Sequence, residues 1–352
     1  MADRRGVHAC WDGVDGVYWM PVFAVLEGHF DLVVGNAMHI RNVPGRKTDV
    51  KDAEWIADLV RHGLIRRSFI PPKWQRALRD LVRYRRKLVE SESSERNRLM
   101  RLLETCNIKL SSVASDVFGV SGRAMLRALI EGTAAPEEMA NLARRRLREK
   151  ADRLVLALHG RVEDHHRFLL RMQLDRVERI EADVAILDRR IDDALAPHRE
   201  KLDRLAQIPG VDRIGAATII AELGTDMAVF PTAQHAAAWA GVCPGNNESA
   251  GKRRGQAKRR GNVHLSTALV QAAFAASRTR GSHLRERFWR LSARRGKKRA
   301  AMAVAHSILI AAYEMLRKQA DYQDLGARYL DLLAKTKVKS RLVRRLEALG
   351  TA

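Results

Sequence analysis

Apolar residues recur at helical spacing over two long stretches of the chain. In the first, which follows Pro71 and Pro72, arginines fill the remaining face, and the apolar positions are Leu78, Leu81, Val82, Leu88, Val89, Leu99, Leu102 and Leu103. Such an amphipathic helix can bury its apolar face and turn arginines toward phosphate groups. The second stretch belongs to a helical region expected over roughly residues 136–196, and its spaced positions are Leu170, Gln173, Val177, Ile180, Val184, Leu187 and Ile191. This heptad pattern predicts a coiled-coil hairpin or a dimer contact.

The residues on either side of the heptad suggest different roles. His165 and His166 come before it, and since adjacent side chains face different directions on a helix, we interpret both as surface residues and not as metal ligands. After it, the sequence reads as a helix, the turn IPGV at residues 208–211, and a second helix. This is the helix-hairpin-helix pattern, in which the turn at Gly210 would offer backbone N–H groups to a DNA phosphate. An ordinary αα-hairpin is the alternative.

Near the N-terminus the pattern predicts a helix that leads into a buried strand at residues 32–34. A second helix should begin soon afterwards, with Thr48 or Asp49 as its cap. Asp49 and Asp52 then share one side of its first turn, where two carboxylates can bind one divalent cation such as Mg²⁺. The alternative is that Asp49 caps the helix and Asp52 interacts with the helix dipole, which needs no metal.

One stretch combines a serine with dense positive charge: residues 241–261 read GVCPGNNESAGKRRGQAKRRG. Its glycines and its proline disfavour a helix or a strand, so we expect a loop whose backbone can approach phosphate closely. The cations that follow Ser249 would repel one another unless a polyanion neutralises them, and they are Lys252, Arg253, Arg254, Lys258, Arg259 and Arg260. Ser249 is a candidate nucleophile, activated by a base or metal from elsewhere in the chain. The alternative is a solvated basic loop whose serine caps a turn.

Composition narrows the class of partner. The 352 residues include 64 Lys and Arg against 41 Asp and Glu, a formal net charge of +23, which suggests nucleic acid first. A second basic cluster consists of Arg294, Arg295, Lys297, Lys298 and Arg299, and a basic tail, expected to be loosely held, runs from Lys335 to Arg345. Aromatic residues make up only 5%, which disfavours base stacking as the main contact. Three scattered cysteines, and no apolar run or signal sequence that would suggest a membrane, predict a soluble intracellular protein.

Several of these segments together resemble the insertion sequence 110 family of transposases. The motifs that carry the resemblance are, in chain order, GVYW, GRKTDVKDAEWIADL, GLIRRSFIPP, LRDLVRYR, IPGV, ELG, WAGVCPG and SAGKRRGQAKRRGN. They cover nearly the whole chain from about Gly16, and the joint match is more specific than any one motif.

The resemblance implies a fold of an α/β part and a mostly α part, in four segments. These are an RNase H-like, RuvC-like domain over 1–110, a helical and coiled-coil linker over 111–197, a transposase domain with the helix-hairpin-helix and the Ser249 loop over 198–325, and the basic tail over 326–352. It implies that Asp49 and Asp52 are the last two acids of a DEDD set of Mg²⁺ ligands and that Ser249 forms a phosphoserine link with DNA. It also implies a bridge RNA that pairs with donor and target DNA in a bacterial cytoplasm, close to the nucleoid. From the heptad we expect a homodimer or a higher homo-oligomer.

The start of the chain departs from the family pattern. No strand of the type GIDVSK precedes GVYW, so the RuvC-like domain is expected to be shortened. Counted back from Gly16, the second acid falls on Gly13, and Asp12 or Asp15 could serve as a metal ligand only through a shift in register. Three hypotheses follow: a transposase acting through Ser249, an inactive remnant that only binds DNA or RNA, and a magnesium nuclease of the junction-resolving kind that does not use the serine.

Overall fold

Helices make up most of the computed structural model, which describes residues 19–35, 49–65, 67–243, 248–249, 252–253 and 261–348. In chain order the helices are α1 Trp19–Leu26, α2 Asp49–Arg61, α3 Lys73–Thr105, α4 Val120–Glu131, α5 Pro136–Asn141, α6 Ala151–Leu158, α7 Asp164–Leu195, α8 Arg199–Leu205, α9 Arg213–Leu223, α10 Ala233–Trp239, α11 Val263–Ala276, α12 His283–Arg295, α13 Lys297–Lys318 and α14 Tyr329–Ala348. Two short strands, β1 Glu248–Ser249 and β2 Lys252–Arg253, lie between α10 and α11. The chain divides into two units, Met1–Lys73 and Trp74–Ala352.

The first unit contains α1, α2 and a buried extended segment at residues 32–35. This segment forms a single bridge to Arg67, and Val34 accepts a hydrogen bond from the Ser68 amide at 2.7 Å. The Arg67 guanidinium also donates to both carboxylate oxygens of Asp31, at 2.8 and 2.6 Å. Among the described residues of this unit, no strand exceeds a single bridge. The helical character that the sequence predicts is therefore confirmed, whereas the RNase H-like sheet is not.

Helices α11 and α13 form the centre of the larger core of the second unit. α13 packs against α10, α11 and α12, and α9 packs against α11. Many residues buried at these contacts are alanines, whose small side chains let helix backbones approach closely: Ala272, Ala273, Ala276, Ala300, Ala301, Ala305 and Ala312. Tyr313 is buried among them, and its hydroxyl donates to the Phe230 carbonyl at 2.8 Å.

The buried apolar residues of α13 belong to this core. This helix of 22 residues is the one described helix that is long and apolar enough, by length and composition, to cross a membrane. The expectation that no apolar run suggests a membrane is therefore wrong on composition alone. Of the apolar stretch, 56% is buried among neighbouring helices, which is the environment of a core helix.

A smaller core lies between the end of α3, helices α4 to α6 and the start of α7. Its buried side chains include Leu99, Leu103, Met125, Leu154 and Leu170. The helical region expected over 136–196 is present, divided into the three helices α5, α6 and α7. Between α6 and α7 the chain runs close to the end of α3: a Cβ on Gly160 would lie 2.3 Å from the Cys106 carbonyl oxygen, and the Arg161 amide donates to that same oxygen at 2.8 Å.

Helices α3 and α7 run antiparallel and are joined by ion pairs. These are Arg85 with Asp188, Glu95 with Arg176 at 3.1 Å, and Arg96 with Glu181 at 2.7 Å. Within the predicted heptad, Leu170 belongs to the smaller core and Ile191 to the larger one. The heptad face is thus covered within the chain, as in the hairpin alternative, and self-association stays a prediction.

The basic tail is helical over α14. The ring of Tyr329 lies edge-on to His283 of α12, with centroids 5.3 Å apart, and Asp331 pairs with Arg290. Both contacts lie before Lys335, so the expectation of a loosely held tail from Lys335 to Arg345 stays a prediction.

Candidate nucleic-acid site

Ser249 lies in a short β-hairpin. β1 and β2 pair antiparallel, with Ser249 opposite Lys252 and Glu248 opposite Arg253. The expectation of a loop without strands is therefore wrong at these four positions, and a glycine at 251 is the residue type that two-residue hairpin connections favour. The side chain of Ser249 lies outside the described residues, as do those of the predicted phosphate-binding cations Lys252, Arg253, Arg254, Lys258, Arg259 and Arg260.

The two ends of this segment meet. We call residues 241–261 the serine loop and the meeting point of its ends the neck. A Cβ on Gly261 would lie 2.4 Å from the Gly241 amide nitrogen, so no larger residue fits there without moving the chain. Gly241 has a φ of +71°, a conformation that favours glycine. One residue beyond the loop, the Asn262 amide donates to the Trp239 carbonyl at 3.1 Å. The loop therefore leaves and re-enters the helical unit at one place.

Asn262 ties the neck to the interior through both ends of its side-chain amide. Its Oδ1 accepts a hydrogen bond from the Leu265 amide at 3.0 Å and so caps α11. Its Nδ2 donates to Oε2 of Glu222, on α9, at 2.7 Å. Gly261, the last residue of the loop, is therefore followed directly by a residue that is hydrogen-bonded to Glu222.

That carboxylate is buried and is satisfied by arginines of α3. Arg83 donates from Nε to Glu222 Oε1 at 2.7 Å and from Nη2 to Oε2 at 2.8 Å, a bidentate pair. Arg79 Nε lies 3.4 Å from Oε2. Burial acts to raise the pKa of Glu222, but the hydrogen bonds and charge of Arg83, with Asn262 and Arg79, outweigh it and hold the pKa below its usual value. Burial lowers the pKa of Arg79 to about 10, against the charge of Glu222, so Arg79 stays protonated at neutral pH.

The same face of α3 also caps the C-terminal end of α9. Arg79 donates from Nε to the Ala221 carbonyl at 2.8 Å, and Gln75 Nε2 donates to that carbonyl at 3.0 Å. Cationic and amide donors of this kind satisfy the free carbonyls that end a helix. Sequence reasoning missed this cluster. Its signals were the spacing of four between Arg79 and Arg83 in LRDLVRYR and the single acid, Glu222, in the apolar run IIAEL.

The turn between α8 and α9 packs against α11. Gly210 has a φ of +88°, and a Cβ on it would lie 2.2 Å from the Ala272 carbonyl oxygen, so the fold itself requires glycine here. Asp212 caps α9 by accepting a hydrogen bond from the Gly215 amide at 2.7 Å. A cleft of about 680 Å³ lies beside the turn, with Gln271 among its lining residues. The predicted contact of Gly210 with DNA stays a prediction.

Two family descriptions match the chain in the regions just described. Residues 202–288, a range that contains the neck, Glu222 and Ser249, match a family described as Transposase IS116/IS110/IS902. Residues 9–108, a range that contains Asp49, Asp52 and all of α3, match the DEDD transposase family of IS110 elements. The chain belongs to the IS110 family of transposases.

Other members of this kind are similar over much of the chain. Over 237 residues, 67% of the chain, it is 28% identical to a protein of Pseudomonas aeruginosa named as a probable family 20 transposase. Over 286 residues, 79% of the chain, it is 26% identical to a protein of Sinorhizobium fredii named as transposase y4pF/y4sB. The chain spans 61% of the length of the first relative and 64% of the second.

The acids that the IS110 family resemblance assigns lie in the first unit, and Ser249 lies in the second. Helix α2 begins at Asp49, so Asp49 and Asp52 both belong to its first turn, as the sequence predicts. Their side chains lie outside the described residues, and so does the whole of Asp12. The metal roles of these three residues stay predictions.

A group of possible metal ligands in the described part of this IS110-family chain lies at the start of α7. Glu163, His165 and His166 bring their ligand atoms within 4.8 Å of one another. The two imidazole rings have centroids 3.8 Å apart, so the interpretation that they face different directions is wrong. The cause is the Glu163 amide, which meets His166 Nδ1 at 3.2 Å and draws that ring back along the first turn. Such a set suits nitrogen-preferring ions better than Mg²⁺.

Proposed function

We propose that this chain is a DNA transposase of an insertion sequence, which cuts and rejoins DNA through Ser249. The observation that carries the proposal is the placement of Ser249. It lies opposite a lysine in a hairpin whose neck is closed and linked to a buried carboxylate, inside the stretch that matches the transposase family. A nucleophile gains most from a fixed position beside groups that bind the reacting phosphate.

The proposed reaction is a phosphoryl transfer. Ser249 Oγ attacks the phosphorus of a DNA phosphodiester, a bond between phosphorus and the serine oxygen forms, and the bond from phosphorus to one sugar oxygen breaks. The hydroxyl proton passes to a base, and the released sugar oxygen takes up a proton. In the rejoining step a sugar hydroxyl attacks the phosphoserine, and Ser249 regains its proton. The cations after Ser249 balance the negative charge that builds on the phosphate oxygens.

Asp49 and Asp52 are the residues proposed to hold a divalent cation, with Asp12 as a third ligand. Two carboxylates on one helical turn are hard oxygen ligands, the kind that Mg²⁺ prefers, so the donor set fits the ion. Bound there, Mg²⁺ would supply positive charge at the reacting phosphate and favour the ionised serine. The unit that carries these acids is proposed to be the RNase H-like, RuvC-like part of the enzyme.

The remaining positive charge is proposed to bind two kinds of nucleic acid. The first is DNA, as donor and as target, and the second is a guide RNA that pairs with both DNA molecules. The cations of the serine loop and the turn at Gly210 would contact phosphate groups, the latter as a helix-hairpin-helix. A homodimer or higher homo-oligomer would bring two serine loops to two DNA ends.

An adduct assay tests the role of Ser249. The full chain is incubated with Mg²⁺, junction DNA and candidate RNA, and protein–DNA adducts are separated on a denaturing gel. Ser249→Ala should abolish the adduct, while Ser94→Ala, at an exposed serine of α3, should leave it unchanged. An adduct that survives Ser249→Ala contradicts the proposal. DNA cleavage without an adduct would support the junction-resolving nuclease, and binding without cleavage would support the inactive remnant.

The acids are tested separately. Asp49→Asn and Asp52→Asn should lower adduct formation without weakening DNA binding, because a neutral amide binds Mg²⁺ less well than a carboxylate. If both variants lose DNA binding as well, the two residues have a structural role instead.

A further inference from the structure

We propose that Glu222 is a positioning residue for the serine loop. The inference rests on the proposed role of Ser249 and adds the group that fixes where the loop is held. The Glu222 carboxylate lies where three segments distant in sequence meet: α3 through Arg83, α9 through Glu222 itself, and the neck through Asn262.

A buried ion pair is a poor device for stability alone. Apolar residues of similar volume are often as stabilising as a buried pair, because both charges lose their hydration. A buried carboxylate instead fixes the positions of the groups that donate hydrogen bonds to it. Arg83 occupies both oxygens of Glu222 in a bidentate pair, and Asn262 takes a further position on Oε2. The place of the Asn262 amide is thereby defined from the interior of the protein.

Asn262 has no second conformation that keeps its contacts. Its Oδ1 caps α11 and its Nδ2 meets Glu222, so a rotated amide would lose the cap, the link or both. Its backbone amide is held by the Trp239 carbonyl, and Gly261 before it touches Gly241. The direction in which the chain leaves the loop is therefore set by Glu222 together with the cap of α11 and these backbone contacts.

A closed loop transmits the geometry of its neck to the hairpin that it carries. The cations of the loop can still reach phosphate when the neck shifts, since their charge acts over several ångströms. Attack by a serine oxygen requires placement to within a fraction of an ångström. Loss of the link should therefore slow the reaction of Ser249 and leave DNA affinity nearly unchanged.

The first test is Asn262→Ser in the full chain. Serine retains a helix cap but is too short to reach Glu222, so the variant separates the two contacts of Asn262. We expect adduct formation at saturating DNA to slow by about tenfold or more, the factor for one lost hydrogen bond to a charged group, with the DNA Kd within about twofold of wild type. The matched control is Trp289→Phe, which removes the hydrogen bond to the Ser277 carbonyl, 3.0 Å, at the other end of α11. The control should react at the wild-type rate.

The second test reverses the polarity of the link. Asn262→Asp retains an acceptor for the cap but places two carboxylates together, so it should be the slowest variant, and its deficit should shrink as the pH falls and one carboxyl is protonated. Glu222→Gln combined with Asn262→Asp exchanges donor and acceptor at constant net charge. We expect this double variant to react about tenfold faster than Asn262→Asp alone. A role in stability alone would make all the rates follow the melting temperatures.

Trypsin provides a readout that does not depend on Ser249. Loss of the link should speed cleavage after the basic residues at 252–260 several-fold relative to cleavage at the exposed turn 294–299. If Asn262→Ser matches wild type in both loop cleavage and adduct rate, or if the reversed pair is no faster than Asn262→Asp, the positioning role is wrong. If wild type forms no adduct but loop cleavage changes as expected, the role of Ser249 fails and the positioning role of Glu222 stands.

Discussion

Two groups of cations in the second unit differ in whether they form ion pairs with carboxylates. On α3, most arginines have carboxylate partners: Arg79 and Arg83 with Glu222, Arg85 with Asp188, Arg86 with Glu90, and Arg96 with Glu92 and Glu181. At the turn between α12 and α13, the second basic cluster is exposed, and the described part of the chain places no carboxylate in an ion pair with any of its members, which are Arg294, Arg295, Lys297, Lys298 and Arg299.

The difference shows that positive charge indicates where a polyanion binds only after the cations that pair with carboxylates have been excluded. The sequence suggests that the arginines of α3 could face phosphate. In the structure four of them hold α3 to α7 and α9, while the cations of the short turn after α12 have no carboxylate partner among the described residues. A phosphate backbone would release counterions from the second group and would have to displace carboxylates from the first. The contrast between paired and unpaired cations can be tested by substitution and by titration.

The largest effect is expected for Glu222→Ala. It leaves the largely buried Arg79 and the partly exposed Arg83 without their counter-charge. Breaking a fully buried pair typically costs about 3–5 kcal/mol, and because Arg83 is partly solvated we expect a loss of about 3 kcal/mol. Urea denaturation followed by circular dichroism measures the free energy of unfolding. Arg127→Gln is the control, because Arg127 is 58% exposed in its pair with Glu178 and should change stability by no more than about 0.5 kcal/mol. Equal losses in the two variants would show that the paired arginines are not special.

Next in size is neutralisation of the second basic cluster. Changing its five cations to glutamine should weaken binding to a duplex of arbitrary sequence about ten- to a hundredfold near 0.1 M salt, because each lost phosphate contact removes about 0.9 from the slope of log Kobs against log salt. Fluorescence anisotropy at several salt concentrations gives the slope. The matched control changes five paired cations to glutamine: Lys87, Arg98, Arg127, Arg204 and Arg317. If both sets flatten the slope equally, only net charge matters.

A smaller change is expected for Arg253→Gln with Arg254→Gln. These two loop cations should contribute up to about two units of the same salt slope and weaken duplex binding roughly tenfold. The anisotropy experiment serves again, with Arg204→Gln and Arg317→Gln as the control pair. An unchanged slope would mean that the serine loop does not bind phosphate through these residues.

The smallest effect is the pH dependence of the buried pair. Because the folded pKa of Glu222 lies below its usual value, the carboxylate contributes stability that is present above the unfolded pKa of about 4.3 and is lost as the pH falls through the folded pKa. The free energy of unfolding should therefore fall more steeply for wild type than for Glu222→Gln on acidification below about pH 4.5. Parallel pH profiles would contradict the depressed pKa.

The local patterns could be predicted because they depend on neighbouring residues. The apolar spacing of α3 and α7, the helix–turn–helix around Gly210 and the helical turn that carries Asp49 and Asp52 all follow from periodicity and from turn-forming residues. Family membership came from motifs that hold their order along the chain. None of these inferences needed to know which segments meet in space.

What could not be predicted depends on contacts between distant segments. Nothing near Gly160 in sequence reveals that the Cys106 carbonyl lies against it, and nothing near Asn262 points to Glu222. The arginines of α3 look like free cations until their partners on α7 and α9 are known. The prediction for His165 and His166 fails for a local reason, because the Glu163 backbone amide holds the His166 ring away from the direction that helical geometry suggests.

The contact between Gly241 and Gly261 makes the serine loop a module. Since its two ends touch, the segment between them can be lengthened, shortened or exchanged without moving α10 or α11, whose spacing the neck already fixes. For protein engineers, the neck is the natural boundary at which to graft the loop of one transposase onto the helices of another.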